Sequence, residues 1–459
     1  MTKKIAVLGG GISGLASAYW LKKNNFDVTV FEADSEVGGA MKTEFEDGYL
    51  IETGPNSGLE TTPLIRKIAE DVGLGNEIIN ANSEGNNRYI VRDSELRALP
   101  ASPPAFFKTN LFSLKAKLRL MMEPFVGRSD DGYYQSIAEF VERRLGKEFL
   151  DYAIDPFVSG VFAGDPHKLS VKSAFPKLYR LEELYGGLIK GMIRGARERK
   201  KSKEKAKSHA RMFSFKNGMH SYPKAIANYI GNGVKLDCKI KEVIKTDKNY
   251  KIIYDQNGSV KEFETDIVLS TIPSHIAGNV FQNIDSGLKV HLEEIYYPPV
   301  KIMHLGFKKS DVGRELDGFG FLIPTKENRN YLGAIWSSVI FPNRSSDDNA
   351  LFTMFIGGAK KPHIFDKDQK ELKTEIISDF KKLMNINVEP TFIKERFWEK
   401  AIPQYNLGHI EHDNYFDKFE KENPGLFLSG NYRGGISVSD CIKNSKENFE
   451  KICKLITKS

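Results

Sequence analysis

The chain has 459 residues, 40% of them hydrophobic and 28% charged, which excludes a disordered, collagen-like or coiled-coil protein. That length suits two or three domains and a core large enough to need no staple. Lys and Arg number 67 against 60 Asp and Glu, and the net charge of +7 suits an anionic small molecule or an acidic membrane surface without calling for nucleic acid. The cysteines, Cys238, Cys441 and Cys453, are scattered with no C-x-x-C pair, so we expect reduced thiols, no zinc and no other metal. No apolar run reaches about 18 residues, so no transmembrane helix is expected. The first residues enter a strand pattern without the apolar region of a signal peptide, which points to the cytoplasm.

In chain order, residues 4–8 read as a short apolar strand. Residues 13–23 carry helical spacing through Leu15, Ala18, Tyr19 and Lys22, and 28–32 read as a second strand. From about 88 to 211 the chain reads as mainly helical, with stretches at 113–122 and 136–145. It ends in a basic run at 197–211, which reads as a solvated loop or, alternatively, a contact for an acidic membrane. Strands are expected at 235–241, 250–254 and 267–271, with Asn257-Gly258 as a turn. Segments 300–307, 318–324, 331–339 and 351–358 suggest a second, mixed sheet. Residues 426–429 read as a strand, followed by a glycine-rich turn and a helix from about Asp440. The expected fold is α/β (α+β), with a Rossmann-like domain assembled from discontinuous segments 1–82, 212–272 and 401–459. A helical region at 83–211 and a mixed-sheet domain at 273–400 are inserted between them.

Gly9, Gly10, Gly11, Ile12, Ser13 and Gly14 fit G-x-G-x-x-G between a strand and a helix. Gly9 suits a tight turn, Gly11 the close approach of a pyrophosphate, and Gly14 close helix–strand packing. A pyrophosphate there would meet the unpaired N–H groups and positive dipole end of the helix. Glu32, 18 residues after Gly14, can accept both ribose hydroxyls of an adenosine and disfavours a 2′-phosphate. FAD and NAD both remain open on these residues.

The segments that follow resemble the flavoprotein class of amine oxidases, phytoene desaturases and protoporphyrinogen oxidases. Gly38 and Gly39 stand just beyond the acid, and Asp47-Gly48-Tyr49 precedes Glu52-Thr53-Gly54-Pro55. Near the other end, Gly430, Asn431, Gly434, Gly435, Ile436, Ser437, Val438 and Asp440 resemble the final strand–turn–helix of that class, whose helix N-terminus faces the flavin pyrimidine. The resemblance implies noncovalent FAD. It would be held by Gly9, Gly10, Gly11, Ile12, Ser13, Gly14, Glu32, Gly38, Gly39, Ala40, Gly54, Pro55, Asn56, Ser57, Ile240, Trp398, Gly430, Ile436, Ser437 and Val438.

Three further segments resemble the protoporphyrinogen and coproporphyrinogen oxidases: the run from Asp155 through Gly160 and Gly164 to Asp165, Gly318 to Pro324, and Ala401 to His409. The residues alone support an FAD oxidoreductase with an apolar pocket; the tetrapyrrole comes from the resemblance. It implies substrate walls at Phe319, Gly320, Leu322 and Phe355, a backbone approach at Gly160, and Arg88 paired with a propionate. No acid–base pair emerges, His409 included, so no catalytic side chain is assigned. The resemblance further implies O2 or another electron acceptor, a homodimer and a helical region lying on a membrane. Phe106, Phe107, Leu111, Phe112, Leu114, Met121 and Met122, interleaved with Lys108, Lys115, Lys117 and Arg119, fit either that surface or a helix packing on its own core. The expected reaction is oxidation of protoporphyrinogen IX to protoporphyrin IX. The rivals are coproporphyrinogen III oxidation, an amine oxidase, for which Tyr432 offers one ring of a cage, and a non-enzymatic carrier on the same fold.

Overall fold

The computed structural model describes residues 3–82, 85, 87–129, 131, 134–199 and 210–458. Most of the basic run at 197–211 therefore lies outside the described residues.

Five parallel strands form the central sheet, in the order Val234–Lys235, Asp27–Phe31, Lys4–Leu8, Ile267–Ser270 and Leu426–Leu428. Ile5, Ala6, Val7 and Leu8 are all buried, as a strand covered on both faces requires. Helix Ile12–Lys23 is buried along almost its whole length because the C-terminal helix Val438–Lys458 covers its outer side. Trp20 Nε1 donates to Ser445 Oγ across that contact at 3.2 Å. The sheet thus draws on segments at both ends of the chain and in its middle.

A second sheet of seven strands runs Phe392–Trp398, Val300–Lys308, Asn349–Gly357, Gly333–Ile335, Gly318–Leu322, Asn87–Arg92 and Glu95–Ala98. Period-two alternation divides its faces. Phe307, Phe321, Phe352, Met354 and Ile356 pack under helix Gln369–Met384 through Leu372, Ile376 and Phe380. On the other face Leu351 meets Tyr49 and Ile51 of the strand Tyr49–Glu52, which pairs with Thr43–Glu46. The helices from Pro103 to Arg199 close one end of this face around Phe140, Val141, Leu150, Val158 and Leu169.

Several expectations shift. Residues Asn87–Ala98, read at the start of the helical stretch, form a hairpin in the seven-stranded sheet, and helix begins only at Pro103. The strand expected at 235–241 is two strands, split where Asp237 takes φ +55°. Asn257-Gly258 turns Tyr250–Gln256 into Ser259–Thr265, a strand too polar to register as one. Within 331–339 only Gly333–Ile335 is strand, and Ser337–Ile340 is a helical turn. The C-terminal helix starts at Val438, capped by Ser437.

Candidate active site

The cradle forms where the parallel strands end at their carboxyl edge, the usual ligand position in such sheets. Gly9, at φ +103°, turns the chain out of the first strand while its N–H bonds Phe31 O. A Cβ on Gly14 would overlap the Gly9 carbonyl, so only glycine lets this helix approach. Gly11 is different. Its φ of −75° is open to any residue, and a Cβ there meets nothing within 4 Å. What Gly11 preserves is empty space in front of the helix N-terminus, as a pyrophosphate needs.

Glu32 Oε2 accepts the Gly10 N–H at 2.7 Å, and Oε1 accepts that of Asp34 at 2.9 Å. Burial raises its carboxyl above the ordinary range while these N–H groups pull it back. A carboxylate offers about four acceptor sites, so two remain for ribose hydroxyls. Gly38 forms a parallel β-bridge to Gly11, and Gly39 lies against it. Gly54 packs on the Ala40 carbonyl where a Cβ would overlap it, and leads through Pro55 to Asn56 and Ser57. Trp398 Nε1 donates to Thr53 O at 2.7 Å, tying the seven-stranded sheet to this loop. Ile240 follows Cys238, whose N–H bonds Glu32 O. Across the sheet, Gly430 takes φ +137° and the turn reaches Ile436. Ser437 Oγ then accepts the Asp440 N–H at 3.1 Å and donates to Asp440 Oδ2 at 2.6 Å, fixing the N-terminus of a 21-residue helix. The residues present therefore fit an extended dinucleotide: open space at one helix N-terminus, an acid beside it, and a second helix N-terminus opposite.

The substrate candidates gather on the sheet face opposite Phe352 and Met354. Gly320 lies in register with Arg88, and Leu322 with Gly333, which is itself in register with Phe355. The Arg88 guanidinium sits 5.6 Å from the Phe319 ring centroid. A Cβ on Gly160 would run into Leu322, so this glycine lets helix Asp155–Phe162 lie against the wall. Three other cations here are paired, Arg92 with Glu148, Lys326 with Asp151 and Lys360 with Asp155, while Lys361 bonds Arg329 O at 2.9 Å. Among the described residues Arg88 has no acidic partner.

Sequence reasoning passed over several supports. Thr271 Oγ1 donates to Leu8 O at 2.8 Å under Gly9. His220 Nε2 lies 2.7 Å from Val37 O and its ring abuts Gly38. The Tyr405 hydroxyl accepts from Gly435 N and donates to Asn431 O, holding the C-terminal turn. Where the two halves meet, His304 Nδ1, Thr353 Oγ1 and Ser337 Oγ form a buried chain at 3.0 and 2.8 Å. Burial lowers His304 to about 4. Nearby, burial pushes Glu52 up to about 7 although Arg344 lies 3.5 Å away. Glu52 and Tyr405 lie in segments the sequence singles out, but the contacts of all these residues appear only once distant segments meet. His409 is buried, lowered to about 3 by burial, and stacked on Tyr405, which suits packing rather than proton transfer.

Residues 12–447 match the family of flavin containing amine oxidoreductases. The chain belongs to that family and is an FAD-dependent oxidoreductase. Among curated relatives it is 33% identical to protoporphyrinogen oxidase 2 of Arabidopsis thaliana, covering 96% of this chain and 92% of that one. It is 34% identical to the chloroplastic protoporphyrinogen oxidase of Oryza sativa, over 98% and 88%. Coproporphyrinogen III oxidase of Bacillus subtilis is 28% identical, over 97% and 96%. A solved structure from Exiguobacterium sp. 255-15, provisionally assigned as a protoporphyrinogen oxidase, superposes with TM-score 0.81 at 22% identity, over 98% and 99%; at that identity it shows the fold alone.

Proposed function

We propose that this chain oxidises protoporphyrinogen IX to protoporphyrin IX, a step of haem synthesis, with O2 as an electron acceptor. The full-length relatives named for this reaction support the reading. The observation that carries it is Arg88, free of any acidic partner among the described residues, at the rim of an apolar wall. A porphyrinogen presents a wide apolar macrocycle and carboxylate arms, and that pairing suits it. Coproporphyrinogen III carries four carboxylates, and the neighbouring cations Arg92, Lys326 and Lys360 are already neutralised. This favours the substrate with two.

FAD supplies the hydride acceptor when bound. The chain's own contribution is binding and alignment. Phe319, Leu322 and Phe355 hold the macrocycle face, Arg88 fixes its rotation through a propionate, and Gly160 lets helix Asp155–Phe162 pack directly on Leu322 and so sets that side chain's place in the wall. Loss of a hydride from a ring methylene is balanced by loss of a pyrrole N–H proton to solvent, and no side chain is assigned to carry it.

The helical region supports a membrane-facing reading in part. Leu111 and Phe112 are buried against Ile90, so these two serve the core. Phe107, Leu114, Leu118, Met121, Met122 and Phe125 are exposed, Leu114 at 72% and Phe125 at 81%. Among the described residues no helix is long and apolar enough to cross a membrane. We therefore place this face in the headgroup region of a bilayer, where an apolar substrate would be delivered.

The test is a side-by-side assay of the yellow, purified protein in air, following porphyrin fluorescence above autoxidation. A tenfold or greater preference in kcat/KM for protoporphyrinogen IX, about 1.4 kcal/mol, supports the proposal. Preference for coproporphyrinogen III overturns it in favour of the four-carboxylate substrate.

A further inference from the structure

Away from the flavin cradle, two helices bring together three side chains with metal-binding atoms. His291 lies in helix Ser286–Glu293, and Glu294 is that helix's C-cap. A spacing of three places both on one helix face. His412 lies in the first turns of helix His409–Glu422, which packs alongside. The two imidazoles point their Nδ1 atoms at each other, 3.0 Å apart. Glu294 Oε2 is 4.0 Å from His412 Nδ1, and one ligand atom from each residue lies within 4.8 Å of the others. Both histidines are half-buried, and the carboxylate is exposed.

We infer that His291, His412 and Glu294 form a site for a divalent transition-metal ion of the zinc class. Two neutral imidazoles facing each other can share at most one proton, as a single N–H···N bond. A cation in that proton's place engages both lone pairs. With metal–nitrogen bonds of about 2.0–2.1 Å, tetrahedral ligand atoms lie roughly 3.3 Å apart. The imidazole pair opens by a few tenths of an ångström, and Glu294, on a solvent-exposed helix end, swings in by about one ångström. Water completes the fourth position. Two nitrogens and one oxygen suit Zn2+, Co2+, Ni2+ or Cu2+ rather than Mg2+ or Ca2+, which prefer all-oxygen shells.

The rings are held in place for this. His291 stacks on Tyr415 with centroids 4.2 Å apart, and the Tyr415 hydroxyl bonds Asp285 at the start of the same helix. His412 meets the edge of His409, which stacks on Tyr405 at 4.1 Å. Such outer contacts orient metal-binding imidazoles. A bound ion would join the two helices beside the turn that Tyr405 holds.

The experiment uses the untagged holoenzyme, stripped by a chelator and then titrated with Co2+ as the probe. One equivalent should bind, with the visible ligand-field bands of a tetrahedral nitrogen–oxygen site, and Zn2+ should displace it. His291→Ala and His412→Ala should each weaken binding at least tenfold, and Glu294→Gln several-fold, with flavin content unchanged. Glu294 is exposed, so its variant tests the site without risk to folding. Absence of saturable binding overturns the inference and leaves a plain hydrogen-bonded histidine pair. So does binding that survives the double variant His291→Ala/His412→Ala, or displacement by Ca2+ as readily as by Zn2+.

Discussion

Gly11→Ala separates two reasons for a glycine within one loop. At Gly11 the backbone is extended, φ −75° and ψ 176°, and alanine adopts it without strain. The added methyl meets no protein atom within 4 Å, so the fold should be untouched. If the pyrophosphate fills that space, the methyl must push it aside. Forcing an extra methyl into a packed site costs about 1–3 kcal/mol, which weakens FAD binding about 5- to 150-fold. The assay is FAD titration of the deflavinated protein, with the melting temperature of the apoprotein as control. Gly14→Ala is the contrast, because its methyl would overlap the Gly9 carbonyl and should lower apoprotein stability itself. A Gly11→Ala protein with FAD affinity within twofold of the parent would refute the placement of the pyrophosphate. A large fall in its apoprotein melting temperature would refute the claim that the space is free.

Four other outcomes follow from the same contacts. Arg88→Ala should raise KM for protoporphyrinogen IX about 5- to 30-fold, the loss of one charge-assisted pair at an exposed rim, with flavin content unchanged; an unchanged KM removes Arg88 from the site. Arg144, fully buried, bonds Glu123 at 2.6 Å and Glu182 at 2.9 Å; Glu182 keeps Arg143, but Arg144→Met leaves the buried Glu123 carboxylate without its cation and should cost about 3–5 kcal/mol in denaturant unfolding; a loss under 1 kcal/mol contradicts this. Burial lowers His304 to about 4 and His409 to about 3, so from pH 6.5 downward the unfolded chain binds more protons at both. Glu52, raised to about 7, and Asp413, raised to about 6, act the other way, because their contributions are present at low pH and lost as pH rises. Removing part of that opposition exposes the histidines, so Glu52→Gln should lose more stability than the parent between pH 6.5 and 5, and an equal or smaller loss would contradict the assignment. Finally, Leu114→Glu with Phe125→Glu should abolish sedimentation with anionic vesicles while leaving detergent-phase activity intact.

The parts legible in the sequence were those encoded locally. The first strand, the glycine turn and its helix appear within a residue of their expected bounds, because strand pattern, G-x-G-x-x-G and helical spacing coincide there. The Ser136 helix was equally visible, and its capping box with Glu139 explains why. Non-local pairing was less legible. Asn87–Arg92 joins the seven-stranded sheet only by lying parallel to Gly318–Leu322, more than 200 residues away. Arg88 could be singled out by resemblance, yet the stacking on Phe319 and the lack of an acidic partner depend on that pairing. His220, Thr271 and Tyr405 act through one or two hydrogen bonds each to backbone atoms of distant loops, for which no spacing rule exists.

The order of strands in the parallel sheet also sets a schedule for biogenesis. Ile267–Ser270 pairs with Lys4–Leu8 on one side and Leu426–Leu428 on the other. During synthesis that second side stays an open edge for roughly 150 residues, about 8–30 s at ribosomal rates of about 5–20 residues per second. Throughout that interval the nascent chain exposes an apolar strand edge and lacks the helix that covers Ile12–Lys23. FAD therefore cannot be fully enclosed until the last residues are made. Removing the helix Val438–Lys458 should yield a colourless, aggregating chain rather than a weakened enzyme.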